Sequence, residues 1–284
     1  MFLDAKPAEN LEPSDKNTLC FAAIMVNSMQ EGVPGLKPYK KTRKERKKAA
    51  AEKIIEALTN DISVEAIGIA GKSNGAFIHI ACDIINRSRE MLGAHWETRD
   101  GVPTHLIWNE NSLNRSRVLG LSIYAGILPI IGLRAAMMTA GLPPRKFYLL
   151  LDNLPIDSQI GMDLIDAMFK ESDIAQMLEE NRRYGAEYEI GVFGRWKDEN
   201  GLWHKGKCHP NAILVDWFSV SCMAKVNPEQ VQKEAGHSYE YIDLIASIWD
   251  YSFEPKKWSI INLDDPDYIA NDLRPFSPSF ISRV

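Results

Sequence analysis

The sequence predicts an α/β fold, a sheet layered with helices. Short apolar runs read as buried strands, and they alternate along the chain with segments whose apolar residues recur at helical spacing. The chain has 284 residues, 45% of them hydrophobic, enough to bury a substantial core. No internal repeat and no obvious linker interrupts it, so a single domain is the default expectation.

The elements follow in order. MFLDA opens with an apolar trio that ends at Asp4. TLCFAAIMV, from Thr18 to Val26, is short and apolar throughout, as a buried strand should be. The Gly and Pro residues of EGVPGLKP mark a loop. The basic run KKTRKERKKAAAEKIIEAL is rich in Ala, Lys and Glu, which favour helix, and Ile54, Ile55 and Leu58 give it a short apolar face. VEAIGIAGKS is strand-like to about Ala70. AFIHIACDIINRSREML places Phe77, Ile80, Ala81, Ile84, Ile85 and Met91 at helical spacing. THLIWNEN, from Thr104 to Asn111, is a short strand, and SRVLGLSIYAGILPIIGLRAAMMTAG is a long buried helix closed by Gly141 and two prolines. RKFYLLLDNLP is the clearest strand, apolar from Phe147 to Leu151 and ending at Asp152. A helix after Asp157 or Ser158, a strand AEYEIGVFG, a helix NAILVDWFSVSCMA after Pro210 and a helix SYEYIDLIASIWDYSF complete the series. The remaining tail carries Pro255, Pro266, Pro275 and Pro278 and reads as irregular.

Composition narrows the function. The formal net charge is −5, so any nucleic-acid binding must use a local basic patch rather than a global field. Such a patch exists: Lys37 to Lys48 holds eight basic residues against Glu45, with Lys40, Lys41, Arg43, Lys44, Arg46, Lys47 and Lys48 as candidate phosphate contacts. The four cysteines are scattered, without CxxC spacing, which reads as reduced thiols in a cytoplasmic protein. The N-terminus lacks the basic-then-apolar pattern of a signal peptide. Val118 to Leu133 carries no charge but is shorter than the roughly 20 residues of a membrane span and contains Pro129, so no membrane association is expected. His204, Cys208 and His209 lie close together but lack a fourth zinc ligand and read as a polar loop. His79 and His105 lie in apolar patterns and read as core histidines. The aromatic C-terminal region, Trp249, Tyr251, Phe253 and Trp258, reads as packing, with a protein partner for the tail as the other use.

Two motifs compete for the chemistry. AIGIAGKS fits a relaxed phosphate-loop pattern, which would make the chain a nucleotide hydrolase using Lys72, Ser73 and Asp152. Against this, Ile67 and Ile69 alternate with small residues as in a strand, and Asn74-Gly75 is a turn dipeptide where a helix should begin. The second motif is a set of three aspartates. Asp4 and Asp152 close strand-like runs, where acids would line the crevice of an α/β sheet. Asp216 lies within a helix, amid Val215, Trp217 and Phe218, where a carboxylate needs a compensating partner such as a divalent metal.

The segments FLDAK, YLLLDNLP and NAILVDWFS resemble the ribonuclease-H-like superfamily, and within it the family of predicted nucleases known as domain of unknown function 3800. The resemblance implies a ribonuclease-H-like mixed sheet flanked by helices over residues 1–224, with residues 225–284 as a C-terminal helix and irregular tail packed on it. It implies Asp4, Asp152 and Asp216 as catalytic acids holding Mg²⁺ or Mn²⁺, and metal-dependent phosphodiester hydrolysis of nucleic acid. Where that family has Glu after its first Asp, this chain has Ala5, and Lys6-Pro7 replaces Ser-Gly. These departures define the alternative of a non-catalytic binding or scaffold protein with the same fold.

Overall fold

The computed structural model describes residues 2–6, 18–26, 32–100, 102–109, 114–138, 145–151, 159–171, 186–192, 195–197, 200–205, 209–235, 238–251 and 260–264. Its strands are β1 (Phe2–Lys6), β2 (Thr18–Met25), β3 (Glu65–Lys72), β4 (Ala94–Arg99), β5 (Val102–Trp108), β6 (Arg145–Leu151), β7 (Ala186–Val192), β8 (Arg195–Lys197), β9 (Trp203–Lys205) and β10 (Ile260–Asn262). Its helices are α1 (Lys44–Asn60), α2 (Ala76–Arg87), α3 (Arg89–Leu92), α4 (Arg115–Met138), α5 (Gln159–Glu171), α6 (Pro210–Val226), α7 (Pro228–Ala235) and α8 (Tyr239–Ser247).

Six strands form one mixed sheet in the order β10-β3-β2-β1-β6-β7. Strand β2 is antiparallel to both its neighbours, while β1, β6 and β7 run parallel and β10 runs parallel to β3. The expected mixed α/β sheet flanked by helices is therefore present.

β2 shows why its apolar run is continuous. Leu19, Phe21, Ala23 and Met25 pack with α2, α4 and α5, while Cys20, Ala22 and Ile24 pack with α1, α6 and α8. Side chains alternate between faces with period two, so a strand covered on both faces must be apolar at every position. β3 follows the same rule with Ile67 and Ile69 on one side and Ala66 and Ala70 on the other. The result is three layers, helices on each face of the sheet.

The helices follow from their patterns. α2 buries Phe77, Ile80, Ala81, Ile84 and Ile85, the i, i+3, i+4, i+7, i+8 set. α4 is apolar all round and is buried from Val118 through Gly132, with Pro129 accommodated inside it. α2 and α4 cross closely at Gly126, where an added Cβ would lie 2.2 Å from Ile80 Cγ2. α6 starts with Pro210 in its first turn, and His209 Nδ1 accepts the Asn211 N–H at 3.1 Å as a cap.

Several elements differ from expectation. β3 continues two residues past Ala70. β4 was not anticipated, and it pairs with β5 as a separate hairpin. His105 on β5 is exposed rather than in the core, and His79 is half-buried. Part of the tail expected to be irregular forms β10, whose Ile261 is buried on the sheet edge. α6 runs through position 224 to Val226, and Tyr241, Ile242, Ile245, Ile248 and Trp249 are buried in the same core as α6.

Candidate functional site

The sheet reverses its winding at the β1–β6 pair. From β1 the chain continues to β2 on one side, while β6 continues to β7 on the other, and β1 and β6 are adjacent and parallel. The carboxyl ends of strands at such a switch point enclose a crevice. Register places Leu3 opposite Leu151, and these are the residues immediately before Asp4 and Asp152 in sequence. Asp4 stands in the middle of β1 rather than at its end, paired with Ala22 of β2. Asp152 follows the last residue of β6 and lies outside the described residues.

Asp216 is half-buried on α6, and its environment is specific. Its Oδ2 accepts the Tyr39 backbone N–H at 2.5 Å. Tyr39 opens a 3₁₀ turn, Tyr39–Lys41, just ahead of the basic helix α1. The indole Nε1–H of the next residue, Trp217, donates to the Lys37 carbonyl at 2.9 Å, and its ring meets Tyr39 edge-on at 5.1 Å. Lys47 Nζ sits 3.7 Å from the centre of the Tyr39 ring, a cation–π contact. Burial holds the Lys47 ammonium below the ordinary lysine range; Asp216 opposes that shift and Lys44 adds to it. Behind this group, burial and the neighbouring Tyr39 push the Tyr241 phenol well above its usual value.

The carboxylate that looked anomalous in the sequence thus receives a backbone N–H and lies near an ammonium, which accounts for its tolerance among apolar neighbours. It pins the entry to the basic segment onto α6. Six of the seven basic candidates, Lys40, Lys41, Arg43, Lys44, Arg46 and Lys48, are exposed. Lys47 departs from them by turning over Tyr39 and being half-buried. Sequence reading missed Tyr39, although it is the lone aromatic in the basic run.

The backbone weighs against the phosphate-loop alternative. Positions 66–72 are paired with β2 in one continuous ladder, Ala66 with Ile24 through Lys72 with Thr18. A phosphate loop must leave its N–H groups converging on the anion, whereas these belong to a strand. The Lys72 N–H donates to the Asp264 carboxylate, and Ser73 is buried.

The acids can be matched to a hard cation. Mg²⁺ is commonly held by one or two carboxylates together with substrate phosphates. In sequence, Asp4 and Asp152 each follow a residue of the registered Leu3–Leu151 pair, and two carboxylates match that donor set. Asp216, already bonded to Tyr39, fits the role of an anchor for the basic segment better than that of a third ligand. Among the described residues there is no group of three or more His, Cys, Asp or Glu able to hold a metal ion. Cys20, Cys82 and Cys222 are buried free thiols, and burial with Cys222 alongside pushes the Cys20 thiol well up. Cys208 lies outside the described residues, as do Phe253 and Trp258 of the tail; Trp249 is buried and Tyr251 exposed. Among the described residues no helix is long and apolar enough to cross a membrane. In comparisons with family models, curated proteins and solved structures, the chain matches none.

Proposed function

We propose that this chain is a ribonuclease-H-like, metal-dependent phosphodiesterase acting on nucleic acid, with Asp4 and Asp152 as the acids that hold Mg²⁺ or Mn²⁺. The observation that carries the reading is the pairing of Leu3 with Leu151 at the switch point of the sheet, one residue before each acid. The strand order supports it as well. The first strand is central, an antiparallel series β1-β2-β3 lies to one side and parallel strands lie to the other, within a mixed sheet flanked by helices.

When bound, the cation supplies Lewis acidity toward the phosphate and lowers the pKa of water. The protein contributes the rest. Asp4 and Asp152 provide negative charge at the crevice. Asp216 fixes the Tyr39 turn, and through it the start of α1. The exposed Lys40, Lys41, Arg43, Lys44, Arg46 and Lys48 engage the phosphate backbone by charge. Each such contact adds about 0.7 to the slope of log affinity against log salt for a single strand.

The engagement of Asp216, together with Ala5, favours a second reading: the same fold retained for binding, without hydrolysis. Both readings meet one experiment, incubation of end-labelled single- and double-stranded DNA and RNA with the chain in Mn²⁺. Cleavage by the wild type that Asp152→Asn abolishes supports the nuclease. Cleavage that Asp152→Asn leaves intact overturns this assignment of the acids, and binding without cleavage of any substrate favours the scaffold.

A further inference from the structure

The hairpin β8–β9 stands outside the six-stranded sheet. It begins three residues after Val192, the end of β7. Val192 is in register with Leu151, and Leu151 with Leu3. β1, β6 and β7 therefore reach one edge of the sheet with the same polarity, and the hairpin follows from the edge at which Asp4 and Asp152 occur in sequence.

The six strand residues are Arg195, Trp196, Lys197, Trp203, His204 and Lys205, three cations, two tryptophans and one histidine, and the segment joining them opens with Asp198 and Glu199. Register pairs Arg195 with Lys205 and Lys197 with Trp203. Residues directly opposite share a face, as do positions two apart along a strand, so positions 195, 197, 203 and 205 fall on one face. Trp203 is 66% exposed and Leu202, beside it, 61%. An exposed tryptophan among cations has the chemistry of a stacking platform, with the indole for bases and the cations for phosphates.

We propose that the β8–β9 hairpin is a second nucleic-acid contact, taking a single strand by stacking a base on Trp203 and pairing phosphates with Arg195, Lys197 and Lys205. The nuclease reading supplies only its placement near the crevice. An acidic peptide would satisfy the cations but give the indole no partner, so it is the weaker fit.

The test is fluorescence anisotropy of a fluorescein-labelled oligothymidine with the full chain in EDTA, where cleavage plays no part. The wild type should bind. Trp203→Ala should weaken binding about tenfold or more, and Trp203→Phe should recover most of it. The triple variant Arg195→Gln, Lys197→Gln, Lys205→Gln should lower the salt slope by about 2, at roughly 0.7 per contact. Loss of cleavage in Mn²⁺ by Asp152→Asn and loss of binding in EDTA by the hairpin variants are read in separate assays, so the two outcomes are distinguishable. The proposal is overturned if the wild type does not bind the oligomer. It also fails if Trp203→Ala and the triple variant bind like wild type, if Trp203→Phe binds as poorly as Trp203→Ala, or if polyglutamate or phosphatidylserine vesicles displace the oligomer as well as unlabelled oligothymidine does.

Discussion

Asp216 illustrates how one side chain can stand in an apolar run for a reason that lies far away in sequence. Its hydrogen-bond partner Tyr39 is 177 residues distant. The sequence marks the carboxylate as needing a partner, and the physical argument about desolvation is sound, but nothing local identifies a backbone N–H as that partner. Asp216→Ala should cost about 1–3 kcal/mol, because the Tyr39 N–H loses its acceptor in a part-buried site. Asp216→Asn keeps an acceptor oxygen and should cost less; urea unfolding of the two variants measures the difference. Lys47 gives a prediction in pH. Its pKa is lower in the folded chain than in the unfolded one, chiefly through burial. At pH values between the two, the unfolded chain binds more protons, so stability contributed by this group rises with pH there. Below the folded pKa the penalty for burying the ammonium is fully present, and above the unfolded pKa it is gone. Removing Asp216, which holds the Lys47 pKa up, should move its titration to lower pH. An NMR titration of the isotopically labelled lysine ε-position checks this, and an unmoved midpoint in Asp216→Asn would show that the two groups do not interact.

The elements that the sequence reveals are those whose burial makes their pattern unambiguous. β2 and β3 are apolar at successive positions because helices cover both faces, and α2 carries its period plainly. β4 was not legible: AHWETR has an apolar start and a polar end, and it pairs only with β5. β10 was not legible either, since three residues near several prolines and aspartates carry no period. The basic helix was legible as a helix, but that Lys47 alone turns inward over Tyr39 depends on α6 lying alongside. Packing between elements can be tested at Gly126. Gly126→Val would drive a branched side chain into Ile80, and overpacking of this kind costs about 1–3 kcal/mol or more. The expected result is a lower midpoint in urea with an unchanged slope. A variant as stable as wild type would show that α2 and α4 are not in such close contact.

At the scale of the whole molecule, the C-terminal segment completes the core. Tyr241, Ile242, Ile245, Ile248 and Trp249 are buried with α1 and α6, and Ile261 extends the sheet through β10. Burying a large apolar side chain contributes roughly 1.5–3 kcal/mol, and five of them together rival the about 5–15 kcal/mol of net stability typical of a domain. A chain ending at Ala235 should therefore lose cooperative thermal unfolding, as followed by circular dichroism; a cooperative melt would show that residues 1–235 fold alone. The mixed-sheet architecture was legible from the alternation of strands and helices. The switch point that brings the Asp4 and Asp152 strands side by side was not, because strand order is set by long-range pairing. That juxtaposition is the central claim, and a calorimetric titration of Mn²⁺ into the wild type, Asp152→Asn and Asp216→Asn tests it most directly. Binding in the wild type that Asp152→Asn loses and Asp216→Asn keeps is the predicted result. Absence of binding in the wild type, or binding that Asp152→Asn leaves unchanged, would contradict it.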